Sequence, residues 1–193
     1  MMDYFSVYPD TPPRRKKGDY RCSVHYGNSY RLECAKKQLK CSPVPVETIV
    51  EYTTEFLKSI GIQTSKAPKM KPTEIDYGRI KKENGLKDKR DIVWMKFTTD
   101  GYLGVVASSN DINFDIPTSE KDYDQKRYKT RWMHTSSGIL VHQLQKEWDT
   151  SFVLVFPLRG IPDLYKRGDI ERAVGNYLID QKVPIIDFYS HNY

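Results

Sequence analysis

The C-terminal stretch that decides the fold runs from Arg127 to Tyr193, and its centre is SFVLVFPLRGIPDLYKRGDIERAVGNYLIDQKVPIIDF over residues 151–188. Three apolar runs, at residues 128–134, 152–156 and 183–188, alternate with two segments whose apolar residues recur at helical spacing. This order predicts strand, helix, strand, helix, strand. Because a helical crossover usually joins two parallel strands, we expect a parallel βαβαβ portion here.

Upstream of this portion, two local signals add antiparallel structure. Asp100-Gly101 separates two apolar runs and predicts a hairpin at about residues 91–108. Apolar and polar residues alternate over residues 20–35 around Gly27-Asn28-Ser29, which predicts a second hairpin. The sequence therefore indicates an α/β or α+β class, with helices covering a mixed β-sheet.

The remaining segments divide the chain. Residues 46–60 carry one apolar stripe at helical spacing, with Gly61 placed to end the helix. Residues 1–19 hold prolines and a basic run and predict an extended arm. The predicted order is the arm at 1–19, a hairpin and helix at 20–62, a polar loop or linker at 63–90 and the mixed-sheet core at 91–193. With 193 residues, we expect one compact domain overall.

Positive charge is concentrated in the first half of the chain. The net charge is +6, made up of +5 in residues 1–41, +3 in residues 42–90 and −2 in residues 91–193. Such asymmetry is typical of contact with nucleic acid or another polyanion, and equally of a solubilising tail. The predicted nucleic-acid contacts are Arg14, Arg15, Lys16, Lys17, Arg21, Lys36 and Lys37.

Neither a membrane span nor a secretory signal is visible in the sequence. No apolar run approaches the roughly 20 residues that a bilayer requires. Residues 1–13 lack a charged start followed by an apolar stretch. We therefore expect an intracellular protein, either cytoplasmic or part of a particle assembled inside a cell.

Polar residues follow each of the three predicted C-terminal strands. They form a candidate catalytic group, His134, His191 and Asp187, and a candidate anion-binding group, Ser136, Ser137, Arg159 and Ser190. A helix that opens with two serines offers N–H groups and hydroxyls to an anion. Arginine suits phosphate, and histidine transfers protons near neutral pH. Ligands bind beyond the carboxyl ends of parallel strands, so these side chains are predicted to converge.

The same residues have structural interpretations. Either serine can simply cap a helix, and Arg159 can pair with Asp163 on the surface. His191 lies near the end of the sequence, where side chains often fray.

Three cysteines and a histidine raise the question of zinc. Cys22, His25, Cys34 and Cys41 are ligand types that zinc accepts. However, the hairpin register places His25 on the face opposite Cys22 and Cys34, and paired-knuckle spacing is missing. The register allows a disulfide between Cys22 and Cys34, whereas a reducing cell favours free thiols. The cofactor therefore stays open, with zinc disfavoured.

These patterns leave three hypotheses for the function. The first is a protein that binds nucleic acid or another phosphate-rich partner through its basic N-terminal half. The second is a phosphate-ester or nucleotide-processing hydrolase, similar in chemistry to a nuclease or phosphodiesterase. The third is a viral or defence-related interaction or assembly component, in which a protein partner orders residues 1–19. Phosphate-loop, nucleophile-elbow and His-Glu-x-x-His motifs are missing from the sequence, so no enzyme class is indicated.

Overall fold

The computed structural model describes residues 3–6, 42–64, 69–70, 82, 91–109 and 152–185. This part contains two helices and four strands in a single sheet, which confirms the mixed α/β class. The helices are α1 (Val46–Ser59) and α2 (Arg167–Asp180). The strands are β1 (Lys69–Met70), β2 (Ile92–Phe97), β3 (Leu103–Ser109) and β4 (Val153–Pro157).

Helix α1 lies where the sequence predicts it. Its buried residues are Ile49, Thr53, Phe56 and Leu57, which share one face at three- and four-residue spacing. The helix ends where Gly61 adopts a φ of 83°, a left-handed conformation that costs glycine little. The N–H of Ile62 then donates to the carbonyl of Leu57 at 2.9 Å, which satisfies one carbonyl of the last turn.

The hairpin of β2 and β3 is also confirmed. Gly101 has a φ of 90°, and its N–H donates to the Thr98 carbonyl at 3.0 Å, closing the turn that Asp100-Gly101 predicts. The strands pair antiparallel, with Trp94 opposite Ala107, and the register shifts between Lys96 and Phe97. A β-bulge therefore bends this hairpin close to its turn.

The parallel βαβαβ portion is not shown by the described part of the chain. β4 lies between β1 and β2 and is antiparallel to both, in the sheet order β1-β4-β2-β3. An apolar run predicts a strand covered on both faces, but the hydrophobicity does not specify strand direction. Residues 128–134, the first strand expected in that portion, lie outside the described residues.

One parallel contact joins the segment after α2 to the sheet. Ile185 forms an isolated parallel bridge with Leu103, at the start of β3. Since β2 is antiparallel to both β3 and β4, this segment runs in the same direction as β4. It is not adjacent to β4, however, because β2 and β3 lie between them. β4 and the segment that contains Ile185 are therefore not side by side, as the expected parallel portion would require.

Both faces of the sheet are buried. On one face α2 packs on β2 and β3, and α1 packs on α2. The core on this side includes Val93, Met95, Phe156, Val174 and Leu178. The opposite face carries alternate residues of the same strands, and they are buried as well: Trp94, Lys96, Val105, Val153 and Val155. Lys96, at 0% exposure, thus places a lysine within an otherwise apolar face.

Residues 3–6 are the described part of the predicted arm. Tyr4 and Phe5 pack against the core formed by α1 and α2, rather than extending away from it. The rest of residues 1–19 and the predicted hairpin at 20–35 lie outside the described residues. The division of the chain into an arm, a hairpin unit, a linker and a core stays a prediction.

Candidate functional site

Arg159 is the predicted site residue that falls within the described ranges. It follows β4, is exposed, and precedes Gly160, which bends the chain with a left-handed φ of 68°. Its backbone pairs antiparallel with Gln63: the Gln63 N–H donates to the Arg159 carbonyl at 3.1 Å, and the Arg159 N–H donates back at 3.2 Å. This pair fixes the position of the Arg159 backbone.

Two turns bring the segments after α1 and β4 together. At Gly61 a Cβ atom would lie 4.0 Å from Pro162 Cγ, so the two loops are in van der Waals range. The side chain of Ile62 is buried, which anchors the loop beside Gln63. The end of the β2–β4 pairing is held as well, because the Leu158 N–H donates to the Asp91 carbonyl at 3.0 Å. The geometry around Arg159 is therefore set by backbone contacts.

A shallow cavity of about 390 Å³ opens next to this pair. Its lining residues come from the end of α1 and the loop that follows: Thr54, Lys58, Gly61, Ile62, Gln63 and Thr64. Lys58 and Gln63 are exposed, so an ammonium group and an amide are available at this surface. We use the name basic edge for Lys58 and Gln63, which line the cavity, together with Arg159, whose backbone pairs with Gln63.

The chemistry of the basic edge suits a weakly held oxyanion. Lysine and arginine donate charge-assisted hydrogen bonds to phosphate oxygens, and the glutamine amide adds a neutral donor. The C-terminal end of α1 opposes this attraction, since the helix dipole places partial negative charge there. Binding of an anion would therefore depend on the two cationic side chains rather than on the helix.

The described arginines differ in what they contact. Arg167 Nη1 lies 3.0 Å from Asp91 Oδ1, and its Nε donates to Ser108 Oγ at 3.3 Å. Arg172 lies 3.9 Å from Asp169. Within the described ranges Arg159 forms no ion pair, and Asp163 is not its partner. Among these three guanidinium groups, that of Arg159 is the one that no carboxylate of the described residues contacts.

The other predicted site residues lie outside the described residues, so their convergence is still a prediction. They are His134, Ser136, Ser137, Asp187, Ser190, His191, the basic residues Arg14, Arg15, Lys16, Lys17, Arg21, Lys36 and Lys37, and the four zinc-ligand candidates Cys22, His25, Cys34 and Cys41. In the ranges that the structure does describe, no three His, Cys, Asp or Glu side chains are grouped as metal ligands. Nor is any helix there both long and apolar enough to cross a bilayer.

Sequence reasoning missed two groups of residues. Gln63 lies beside Arg159 because the loops after α1 and β4 meet, and Lys58 shares the cavity wall with Gln63. No local sequence pattern predicts that these two loops meet. The second group, Arg172, Asn176 and Asp180, did leave a signal. These polar residues recur every four positions along α2, which places them on one side of a helix. An asparagine on a mainly apolar helix face indicates a buried hydrogen bond. Such a residue is overlooked when a helix is recognised only by its apolar positions.

In comparisons with known proteins, no family model, no curated protein and no solved structure matches this chain.

Proposed function

We propose that this protein binds nucleic acid or another phosphate-rich polyanion, and that its basic segments supply most of the attraction. The main support for this proposal is the uneven distribution of charge between the described residues and the rest of the chain. The described residues hold nine lysines and arginines against ten acids, a net charge of −1. With +6 for the whole chain, the remaining residues carry +7. A near-neutral core with strongly basic segments favours polyanion contact over a uniformly solubilising charge.

The basic edge supports the proposal as a secondary contact. Lys58 projects from the last turn of α1, and Arg159 from a backbone that pairs with Gln63, so both cationic groups are carried by hydrogen-bonded backbone. Contacts to phosphate position a protein on a nucleic acid without reading its sequence. We therefore expect binding that depends on charge and shows little base preference. The proposed place of action is inside the cell, as the sequence predicts.

The direct test is fluorescence anisotropy with labelled single- and double-stranded oligonucleotides of about 20 nucleotides. Each titration is run at roughly 50 mM and 200 mM salt, where several phosphate contacts change affinity steeply. The proposal predicts binding at low salt that weakens by at least tenfold at the higher salt. Heparin, a polyanion without bases, should compete with the oligonucleotide. An absence of binding to all three polyanions at low salt would remove the proposal.

A further inference from the structure

A cleft between α1 and α2 is lined by aromatic rings. Phe56 of α1 and Tyr177 of α2 stack with ring centroids 4.8 Å apart. Burial, followed by the nearby Glu55 carboxylate, raises the pKa of Tyr177, so its hydroxyl stays protonated over a wider range. The ring of Tyr4 enters this cleft edge-on, with centroids 5.7 Å from Phe56 and 5.4 Å from Tyr177. Edge-to-face contacts of this kind are favourable beyond the area they bury.

Phe5 occupies a second position beside the same cleft. Its ring stacks on Tyr165 with centroids 4.1 Å apart and planes only 4° from parallel. Tyr165 precedes α2, and its N–H donates to the Pro162 carbonyl at 2.9 Å, which fixes the loop that carries it. The cleft thus offers two aromatic sites, one for each of two consecutive side chains.

Three residues of α2 bind the polar groups of residues 4–6. Arg172 Nη1 donates to the Phe5 carbonyl at 3.2 Å, and Asp180 Oδ2 accepts from the Tyr4 hydroxyl at 2.9 Å. Between them, Asn176 Nδ2 donates to the carbonyls of Tyr4 at 2.7 Å and Ser6 at 2.9 Å. Three successive main-chain carbonyls are therefore bound by side chains spaced one helical turn apart.

Asn176 has the properties of a recognition residue. It is fully buried, and both of its amide hydrogens are committed to main-chain carbonyls of the segment. The reverse orientation would point its oxygen at two carbonyl oxygens, so the contacts fix the amide in one orientation. Within the described ranges its Oδ1 has no hydrogen-bond partner, and neither has Arg172 Nε. A buried polar atom without a partner is unfavourable, and the two hydrogen bonds of Asn176 Nδ2 to the segment offset this cost.

The bound segment makes its own turn. The Ser6 N–H donates to the Asp3 carbonyl at 3.3 Å, and the Phe5 N–H donates to Asp3 Oδ1 at 3.1 Å. Asp3 also accepts a short hydrogen bond from the Ser6 hydroxyl. Aspartate commonly organises a turn by accepting from the backbone two residues ahead. The four residues therefore hold their shape through internal contacts, as a compact ligand does.

We propose that the cleft between α1 and α2 is a peptide-recognition site for an Asp-Tyr-Phe-Ser turn, and that Asp3–Ser6 is its intramolecular ligand. The ligand class is an aspartate-initiated turn that presents two adjacent aromatic rings and three free carbonyls. When Asp3–Ser6 occupies the cleft, this segment is held on the core, and the position at which the following residues leave the core is fixed. The proposal does not depend on polyanion binding.

The test uses the full chain and a labelled synthetic peptide of residues 1–8, followed by fluorescence anisotropy. In the double variant Tyr4→Ala/Phe5→Ala the cleft loses both rings of its own ligand. We expect this variant to bind the peptide saturably, and at least tenfold more tightly than the wild-type chain does. The wild-type segment competes at the high effective concentration that covalent linkage provides. A peptide carrying the same two alanines should bind neither protein.

Equal affinity of both proteins for the peptide, or no discrimination between the two peptides, overturns the proposal. So does an absence of peptide binding to a folded double variant. Gel filtration adds one more outcome: a wild-type dimer that the peptide dissociates means that a second copy supplies the turn, and the intramolecular assignment is then wrong.

A second measurement covers the case in which the double variant does not fold. Tyr165→Ala removes the ring that stacks on Phe5, whereas Leu164→Ala alters the neighbouring side chain, which is 81% exposed. Hydrogen exchange of the Phe5 and Ser6 amides should accelerate at least fivefold in Tyr165→Ala and stay at the wild-type rate in Leu164→Ala. Equal exchange in the two variants would contradict a cleft that holds the segment.

Discussion

Arg167 Nη1 lies 3.0 Å from Asp91 Oδ1, which joins the first residue of α2 to the residue that precedes β2. The same guanidinium donates to Ser108 Oγ in β3, so one side chain connects the helix to two strands. A cation at a helix N-terminus is unfavourable with respect to the helix dipole. The Asp91 carboxylate offsets this cost, and the pair fixes where α2 begins over the sheet.

The first prediction concerns this pair. Their side chains are 30% and 40% exposed, so solvent screens the attraction and the coupling is modest. A double-mutant cycle of Arg167→Gln and Asp91→Asn should give a coupling free energy of about 0.5–1 kcal/mol in urea denaturation at low salt. The coupling should shrink at high salt, and Asp163→Asn, an exposed acid nearby, should show none with Arg167→Gln. A coupling that is unaffected by salt would mean that packing joins these residues.

The second prediction compares two glycines. Gly160 has a φ of 68°, and no atom lies within 4 Å of the place that a Cβ would take, so Gly160→Ala adds backbone strain without a clash. We expect it to lower the free energy of unfolding by about 1 kcal/mol. Gly168 lies in the first turn of α2, also with nothing within 4 Å, so Gly168→Ala should raise it by up to about 1 kcal/mol. Urea denaturation of both variants measures the two changes in the free energy of unfolding, which should have opposite signs. Two changes of the same sign would contradict the backbone conformations assigned to these glycines.

The third prediction is a pH dependence of the turn at residues 3–6. Hydrogen bonds from the Ser6 hydroxyl and then from the Phe5 N–H hold the pKa of Asp3 below its ordinary value. A lowered pKa in the folded state stabilises the turn fully above the unfolded pKa of about 3.9, and this stabilisation is lost as pH falls through the folded pKa. The Phe5 amide resonance should therefore move toward its unfolded position on acidification. In Asp3→Asn no such step should occur, and an identical step there would assign the titration to another group.

The fourth prediction assigns the salt dependence of polyanion binding to named residues. Replacing Arg14, Arg15, Lys16 and Lys17 together by Gln should reduce the slope of log Kd against log salt by up to about 3–4, at roughly 0.9 for each lost phosphate contact. Arg159→Gln should reduce it by about 1. Arg167→Gln is the matched control because its guanidinium is engaged by Asp91. If the control lowers the slope as much as Arg159→Gln does, the basic edge is not a specific contact.

Local signals predicted the parts of the fold that local physics determines. Gly61 ends α1, and Asp100-Gly101 turns the β2–β3 hairpin, since each residue type suits the backbone conformation at its own position. The apolar run at 152–156 predicted a buried strand, and the bounds of β4 agree with this run to within one residue. Its direction was not predictable, because burial on both faces gives the same apolar run in parallel and antiparallel sheets.

In the candidate sites, too, local sequence patterns predicted some residues, whereas others are brought together only by folding. Arg159 was predicted as an anion contact from its position after a strand. Its backbone partner Gln63 comes from the loop after α1, which is distant in sequence and which no local pattern places there. Tyr4 and Phe5 were missed because prolines and basic residues dominate residues 1–19 and predict an extended arm as a whole. Asn176 was missed because helical periodicity is judged from apolar positions. Its side chain binds the carbonyls of Tyr4 and Ser6, which only folding brings next to it.

The hydrogen bond between Tyr4 and Asp180 spans 176 residues, and this separation sets an order of events during biosynthesis. Ribosomes add about 5–20 residues per second, so α2 follows Tyr4 by on the order of 10–35 s. Over that interval Tyr4 and Phe5 have been made, but α2, which supplies Asn176 and Tyr177 of the surface that receives them, has not. The turn at Asp3–Ser6 can therefore dock only after translation has passed α2, and until then both rings stay open to water.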